Sequence, residues 1–351
     1  MLEALHQRGV KCTYLTSDED DPVFNAGLDD TVRAKYIGKG NTAYTALSFL
    51  EADVFALTTP GIDVLQIRRS PGVKKYVHIV HAVGDIHTYK FYSFDYYDAV
   101  FCSGPGQAES LRRLEELRGT SHKDLPLLGC PYLDVYAARA EQVGVPEPRT
   151  ILIAPTWGRN GLLTRTGSLV PKLLASAGYH VILRPHPQSF ISDREVMERV
   201  AADLQTCKNV EWDRNPDGFS SLSRASLMVS DVSGVIFDFA FVFLRPVISV
   251  GNGPLKEGFE AWEIPHEAWE MKALDQIGRR VPAGNESVIP AVVEEMLGDL
   301  TTQTEAIRRV RDENVVNFGY AGGPIADALV AAAQAHSVQL QSSLPSSVEA
   351  A

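Results

Sequence analysis

The sequence has few cysteines, and they lie far apart in the chain. Only four of the 351 residues are cysteine, namely Cys12, Cys102, Cys130 and Cys207, and no two of them form a CxxC pair. This spacing excludes a zinc knuckle and a small domain braced by disulfides, because both need closely spaced or numerous cysteines. We therefore expect free thiols and a reducing compartment.

Long apolar runs and an excess of basic residues are also missing. No apolar run approaches the roughly 18 to 20 residues of a membrane span, and the first residues lack a basic region followed by an apolar one. The formal net charge is −11, whereas a protein that wraps nucleic acid carries a dense field of Lys and Arg. These absences predict a cytoplasmic protein that does not bind nucleic acid.

Two further sequence signatures are absent. The segment Ser103-Gly-Pro-Gly joins a strand to a helix but does not match GxGxxG, so we do not expect a dinucleotide cofactor. There is no internal repeat of the length that builds a solenoid. The chain should instead form ordinary globular domains.

The first half of the chain alternates between strand and helix patterns. Such alternation predicts a parallel sheet with helices on both faces, which is an α/β architecture. The chain opens on a helix at 2–8, so we expect this domain to lack the first strand of a doubly wound sheet. The predicted strands are 11–16, 35–37, 54–57, 76–80, 99–102 and 125–128, and further helices are 43–52 and 107–118.

The second half repeats the alternation more regularly and predicts a second Rossmann-like domain. A proline-marked break at 146–149 separates the halves, so we predict domains at 1–147 and 148–336. The last residues, 337–351, are rich in Ser, Gln and Ala and predict a disordered tail. The predicted strands are 151–154, 180–184, 209–212, 227–230 and 247–250, and the helices are 170–177, 194–205, 219–225 and 234–243.

One strand end in the second half has the strongest pattern for ligand binding. A buried strand runs into Ser230, Asp231, Ser233 and Gly234, and an apolar helix follows. In open α/β sheets ligands bind at the carboxyl ends of the strands, and a helix start there favours phosphate. The alternative is that these residues merely cap a core helix.

Two other strand ends should lie at the same edge of this sheet. Arg184-Pro-His-Pro places Arg184 and His186 in a loop fixed by two prolines, where they either contact a pyrophosphate or serve as an ion-pair partner and a surface histidine. The first turn of the domain contains Thr156 and Arg159, and the guanidinium of Arg159 can bind a phosphate with two hydrogen bonds. We predict that Trp157, in the same turn, packs only.

Three histidines surround one strand end in the first half. His78 and His81 should fall on opposite faces of a strand, and His87 follows without a compact carboxylate set, so we predict no metal site. A histidine at a strand end can act as a general base because its pKa lies near neutrality, which makes His81 the candidate. The alternative is a structural role for His81.

Taken together, these segments resemble the CDP-glycerol glycerophosphotransferase family, which builds teichoic-acid-like polymers and related capsule backbones. His81 occupies the place of the histidine in the family's WHG motif, with Val80 and Ala82 in place of Trp and Gly. The other matches are Ala154-Pro-Thr-Trp with the family's APT strand end, Arg184-Pro-His-Pro with RxHP, the segment from Ser230 to Ala240 with TDYSSVFFDYA, and Arg245-Pro-Val-Ile with KPIIF.

The resemblance implies a GT-B fold, in which two Rossmann-like domains face a central crevice. It implies transfer of glycerol phosphate from CDP-glycerol to an acceptor hydroxyl in cell-wall or capsule polymer synthesis, without a separate cofactor. By resemblance His186, Ser233 and Gly234 contact the donor phosphates, Asp238 lies beside the nucleotide, and His81 is the base. The acceptor would be a polyol phosphate or a glycan, and it or a partner protein would hold the enzyme at the inner face of the membrane.

Two alternatives remain open from the sequence. A nucleotide-sugar glycosyltransferase or a UDP-N-acetylglucosamine 2-epimerase-like enzyme uses the same two-domain crevice, and a fold alone does not separate these activities. An inactive nucleotide-binding subunit of a polymer assembly complex is the other, because the surroundings of His81 depart from the motif.

Overall fold

A computed structural model describes residues 1–27, 30–231, 233–253 and 256–343, with side chains described to residue 335. The chain divides into two compact units. Unit 1 comprises Met1–His81, Tyr89–Asp134 and the chain from Val316 onward, and unit 2 comprises Ala82–Thr88 and Val135–Val315. No helix among the described residues is both long and apolar enough to cross a membrane.

The described residues form strands and helices in alternation. The strands are β1 (Cys12–Thr16), β2 (Val32–Tyr36), β3 (Ala52–Leu57), β4 (Val73–Ile79), β5 (Ala99–Phe101), β6 (Thr150–Ile153), β7 (His180–Leu183), β8 (Val210–Trp212), β9 (Leu227–Ser230), β10 (Val247–Val250) and β11 (Gly278–Val281). The helices are α1 (Leu2–Gln7), α2 (Asn41–Leu47), α3 (Pro105–Arg118), α4 (Pro131–Ala140), α5 (Leu162–Thr166), α6 (Leu169–Ser176), α7 (Ser189–Ser192), α8 (Arg194–Leu204), α9 (Phe219–Arg224), α10 (Val235–Phe243), α11 (Trp269–Ile277), α12 (Ile289–Leu297), α13 (Leu300–Asn314) and α14 (Gly322–Ser343).

Unit 1 contains two parallel sheets among the described residues, where the sequence predicts one. Strands β1 and β2 pair with each other, and β3, β4 and β5 form a sheet in that order. The predicted strand at 125–128 is present only as an isolated bridge between Leu127 and Cys102, and a second bridge joins the preceding Asp124 to Ala99 of β5. Pro126 explains this, because proline has no N–H to donate to a strand ladder.

The core of unit 1 draws on both ends of the chain. Leu5 from α1 and Ile325 and Leu329 from α14 pack with Val77 and Ile79 of β4. The carboxylate of Asp134 accepts hydrogen bonds from the backbone N–H groups of Ala321 and Gly322, at 2.9 and 2.7 Å, where α14 begins. This arrangement holds α14 in unit 1.

Unit 2 is built on a parallel sheet of six strands in the order β11-β10-β9-β6-β7-β8. Strands β6, β7, β9 and β10 are buried along almost their whole length, which explains their continuous apolar sequences. The chain moves from β6 outward through β7 and β8, and then returns to place β9 on the other side of β6. Such a reversal of strand order is the point at which open α/β sheets bind ligands.

The predicted α/β class is confirmed, and the structure changes several details. Strands β9 and β10 coincide with the predicted ranges, whereas β11 was not predicted because Arg279 and Arg280 interrupt its apolar pattern. The chain enters unit 2 at Val135, ahead of the predicted boundary at 147/148, and the proline-marked break forms a turn inside that unit.

The last helix overlaps the start of the segment 337–351, for which the sequence predicts a disordered tail. Helix α14 continues to Ser343, beyond the predicted start of the tail at 337. Ala, Gln and Leu are good helix formers, and adding a residue to an established helix costs little. Residues 344–351 lie outside the described part of the chain.

Candidate functional site

Asp231 holds the turn that follows β6. Its buried carboxylate accepts hydrogen bonds from the backbone N–H of Thr156 at 2.8 Å and of Leu162 at 2.6 Å. Burial raises the pKa of Asp231, and these two hydrogen bonds oppose the rise. Both carboxylate oxygens are therefore used within the fold, and the side chain shapes the turn.

Ser230 and Arg184 are also engaged inside unit 2. The hydroxyl of Ser230 is buried and donates to the carbonyl of Ala154 at 2.6 Å. The guanidinium of Arg184 donates to the carboxylate of Asp213 at 2.6 Å and to the carbonyl of Asn215 at 2.7 Å. A Cβ at Gly218 would lie only 2.8 Å from Nε of Arg184, so a larger residue there would require the guanidinium group to shift.

The start of α10 is open. Gly234 is its N-cap residue, and no side chain caps the helix among the described residues. Gly234 is exposed, Ser233 is half-buried, and a Cβ at Gly234 would meet nothing within 4 Å. The first N–H groups of a helix carry a partial positive charge, so this open end is suited to an anion.

Asp238 lies one turn along α10 from Gly234, on the same face of the helix. Its side chain is half-buried, and no hydrogen bond or ion pair joins it to the described residues. Burial raises the pKa of Asp238 to about 7. Near neutral pH this carboxyl group can therefore donate as well as accept a hydrogen bond.

His186 is exposed in the turn after β7. Its Nδ1 accepts a hydrogen bond from the backbone N–H of Gln188 at 3.1 Å, so in the neutral ring the proton is on Nε2. Burial lowers the pKa of His186, which favours this neutral form. The backbone N–H of His186 donates to the carbonyl of Pro155 at 3.3 Å, and this bond joins the turns after β6 and β7.

The turn after β6 adds three side chains to this edge. Thr156 is half-buried, while Arg159 is exposed and forms no hydrogen bond or ion pair with the described residues. Trp157 is 47% exposed, and its ring centre lies 6.4 Å from that of His186. The predicted packing role of Trp157 therefore accounts for only about half of its surface.

His81 is exposed at the end of β4 in unit 1. Its ring centre lies 6.5 Å from that of His78 and 6.1 Å from that of Tyr89, and no hydrogen bond joins it to the described residues. His78 is fully buried, and burial, followed by the charge of His81, lowers its pKa to about 3. His78 therefore stays neutral, and His81 has the accessible ring.

The structure also forms one group that the sequence analysis missed. Asp85, His87 and His266 bring potential metal ligands within 4.8 Å of one another, all in unit 2. The sequence analysis considered His87 together with His78 and His81, but the fold pairs it with Asp85 and with a histidine 179 residues later. The only sequence signal is the HxxxE spacing of His266 and Glu270 at the start of α11.

Comparison with known proteins identifies the fold. No family model matches the chain, and no curated protein does. The wall teichoic acid polymerase TagF, solved as a histidine-to-alanine variant, aligns with a TM-score of 0.59 at 14% identity over 95% of this chain and 85% of TagF.

Two other solved structures align over similar lengths. A putative UDP-N-acetylglucosamine 2-epimerase from Listeria monocytogenes gives a TM-score of 0.53, and a glycosyltransferase from Rickettsia africae ESF-5 gives 0.51. Each is 12% identical and covers 95% of this chain and 93% of its own. Together with the parallel sheets of both units, these likenesses confirm the predicted α/β fold of the GT-B class.

Proposed function

We propose that this chain transfers glycerol phosphate from CDP-glycerol to the hydroxyl group of a polyol-phosphate or glycan acceptor. The observation that carries the proposal is the open start of α10 at the strand-order reversal of unit 2, with Asp238 on the same face of the helix. The order of the sequence motifs and the structural likeness to TagF support the choice of donor.

In this proposal the donor phosphates bind at the start of α10. The N–H groups near Ser233 and Gly234 donate to phosphate oxygens, and the helix dipole favours their charge. Neutral His186 donates from Nε2 to the same phosphates, since its Nδ1 is occupied by the N–H of Gln188. Arg159 adds a positive charge, and Asp238 binds a hydroxyl group of the nucleotide.

The chemical step is a displacement at the phosphorus that carries glycerol. The acceptor oxygen forms a new bond to this phosphorus, the bond to the oxygen of CMP breaks, and CMP leaves with the electron pair. His81 takes the proton of the acceptor hydroxyl. Such a reaction depends mainly on positioning and on neutralising charge.

Three residues predicted to bind the donor have positioning roles in this proposal. Asp231 and Ser230 use their side-chain oxygens to hold the turn after β6, and Arg184 is paired with Asp213. They act on the donor through the backbone that they fix. Thr156, at the start of that turn, remains available through its hydroxyl group.

A nucleotide-sugar transferase or epimerase is the second candidate, favoured by the likeness to the Rickettsia africae and Listeria monocytogenes proteins. A donor panel separates the candidates, because a ligand at 100 times its Kd stabilises the native state by about 2.7 kcal/mol. We expect CDP-glycerol to raise the melting temperature and CMP to be released when an acceptor is added.

Other outcomes of this experiment favour other functions. Stabilisation by a UDP-sugar, with release of UDP, would favour the second candidate. Binding of CDP-glycerol without turnover on any polyol-phosphate or glycan acceptor would favour an inactive nucleotide-binding subunit. Stabilisation by neither donor would contradict the proposed donor site at α10.

A further inference from the structure

The group formed by Asp85, His87 and His266 shares no residue with the proposed donor site. Asp85 and His87 come from the segment Ala82–Thr88, which belongs to unit 2 although it lies within the first hundred residues. The short turn Ile86–Thr88 packs against the turn Glu260–Trp262, close in sequence to His266. The side chains of Asp85 and His87 are 2% and 6% exposed.

One ring nitrogen of His87 forms a hydrogen bond, and the other does not. Nε2 lies 3.1 Å from the carbonyl oxygen of His266, so Nε2 carries a proton and donates it. Nδ1 has no hydrogen-bond partner among the described residues and lies 3.4 Å from Oδ2 of Asp85. In a neutral ring, the Nδ1 lone pair therefore faces a carboxylate oxygen, which is unfavourable unless a cation lies between them.

One distance within this group has the value expected at a zinc site, and the three potential ligand atoms all lie within 4.8 Å of one another. Ligands at about 2.0 to 2.1 Å from a tetrahedral zinc ion lie about 3.3 to 3.4 Å from one another. The distance of 3.4 Å between Nδ1 of His87 and Oδ2 of Asp85 has this value. The donation from Nε2 to a backbone carbonyl is also what a histidine ligand commonly shows, because it fixes the tautomer.

The charges around the group also favour a cation. Glu270 accepts a hydrogen bond from the backbone N–H of Asp85, so a second carboxyl group adjoins the first. No Lys or Arg of the described residues forms an ion pair with Asp85 or Glu270. Two neighbouring carboxyl groups in a largely buried setting favour a nearby cation.

We propose that Asp85, His87 and His266 bind a zinc ion, with Glu270 or water as a fourth ligand. Two imidazoles and a carboxylate are ligands that zinc prefers. The ion would fasten the segment Ala82–Thr88 to the segment before α11 within unit 2. This segment directly follows His81 in the chain, so the zinc ion would fix the residues that adjoin the proposed base.

The alternative is a protonated His87 that forms an ion pair with Asp85. Zinc and a proton compete for the same position, since Nδ1 accepts only one of them. The two readings predict different metal contents, and the difference does not depend on any enzyme activity. The test is therefore independent of the proposed transfer reaction.

The experiment measures the binding of zinc to the full chain after treatment with a chelator. We expect one Zn²⁺ per chain by elemental analysis and calorimetry, and a higher melting temperature when Zn²⁺ is added back. Substitution with Co²⁺ should give the visible absorption of a tetrahedral site without the thiolate charge-transfer band. That band would instead identify binding by one of the free cysteines.

Two variants and a matched control locate the site. His266→Ala and Asp85→Asn should each weaken zinc binding at least about tenfold. His266 is half-buried and asparagine has nearly the shape of aspartate, so both variants should fold, which circular dichroism checks. His180→Ala is the control, because His180 also pairs with a carboxylate, that of Glu211 at 3.0 Å, in the same unit.

Any of three results would overturn the proposal. One is a chain that binds no Zn²⁺ at micromolar concentration, which favours the protonated His87. The others are undiminished zinc binding in both folded variants and equal loss in His180→Ala, each of which would show that zinc binds elsewhere.

Discussion

Asp231 and Asp238 belong to the same connection from β9 to α10, but their surroundings differ. The carboxylate of Asp231 is buried and accepts two backbone hydrogen bonds, whereas that of Asp238 is half-buried and has no partner among the described residues. The same contrast separates Arg184, paired with Asp213, from the exposed His186. Residue type and position at a strand end therefore do not distinguish a residue that builds a turn from one that is available to a ligand.

This contrast predicts two kinds of mutant. Replacing a residue whose polar atoms are used by the fold should lower stability, and ligand binding should fall with it. Replacing a residue whose polar atoms are open should affect binding or rate without lowering the stability of the protein.

The largest effect is expected for His81→Ala. His81 is exposed and forms no hydrogen bond with the described residues, so its loss should leave the melting temperature and donor affinity nearly unchanged. Loss of a general base typically lowers the rate by about 100-fold to 10,000-fold. Turnover of CDP-glycerol with a saturating acceptor measures this, and His122→Ala, another exposed histidine of unit 1, is the control. Turnover within a few-fold of the parent would make His81 structural.

Asp231→Ala should cause the largest loss of stability. The substitution leaves the buried N–H groups of Thr156 and Leu162 without their acceptors, and a hydrogen bond to a charged group contributes about 1.5 to 3 kcal/mol. We expect the free energy of unfolding in urea to fall by about 3 kcal/mol. Asp231→Asn keeps one acceptor oxygen, so its free energy of unfolding should lie between those of the parent and of Asp231→Ala. An unchanged free energy of unfolding would show that the hydrogen bonds of Asp231 do not stabilise the fold.

Gly234→Asp should weaken donor binding without loss of stability. The new carboxylate would cap α10 and occupy its positive end, which excludes a phosphate, so we expect at least a tenfold loss of donor affinity, equal to about 1.4 kcal/mol. The backbone of Gly234 has φ −58, which any residue adopts. Gly234→Asn is the control, because it adds a similar side chain without the charge. Equal donor affinities for the two variants in calorimetry would show that no anion binds there.

His186→Ala should lower donor affinity by about 1.5 to 3 kcal/mol, which is typical of a hydrogen bond to a charged group. The melting temperature should not change, because His186 is exposed. Gln188→Ala is the control, since it keeps the backbone N–H that donates to His186. If calorimetry gives the parent's affinity for the His186 variant, this residue has no part in donor binding.

Asp238→Asn should change how stability depends on pH, with the smallest effect of the five because solvent reaches this half-buried carboxyl group. Between its ordinary pKa of 3.8 and about 7, the unfolded chain loses the proton of Asp238 and the folded chain keeps it. The parent therefore loses stability as the pH rises through this range. The variant should match the parent at pH 4 and exceed it at pH 8 in urea unfolding. If the free energies of unfolding of parent and variant differ by the same amount at every pH, the pKa of Asp238 is not raised.

The sequence predicted the edge of the sheet at which the candidate site lies. Apolar runs with clear ends defined β9 and β10 to the residue, and parallel strands place their carboxyl ends together. The sequence did not predict which polar atoms form hydrogen bonds within the fold. Asp231 binds the N–H of Leu162, 69 residues away, and such a contact exists only once the strands are packed.

The group around His87 was missed for the same reason. A periodic pattern describes contacts along one element, whereas His266 reaches His87 from a different part of the chain. The sequence analysis predicted no metal site at His78 and His81, and in the structure His78 is buried whereas His81 is exposed. Contacts between polar side chains that are far apart in the sequence can therefore be identified only from a structure.

The packing of Leu5 with Ile325 and Leu329 sets an order of events during synthesis of the protein. The core of unit 1 needs side chains from α14, so it cannot close until α14 has left the ribosome. All residues of unit 2, through Val315, emerge earlier and can fold as they appear. The core of unit 1 consequently closes after unit 2 has been synthesised. Until then α14 does not cover the apolar residues of β4, which chaperones can bind.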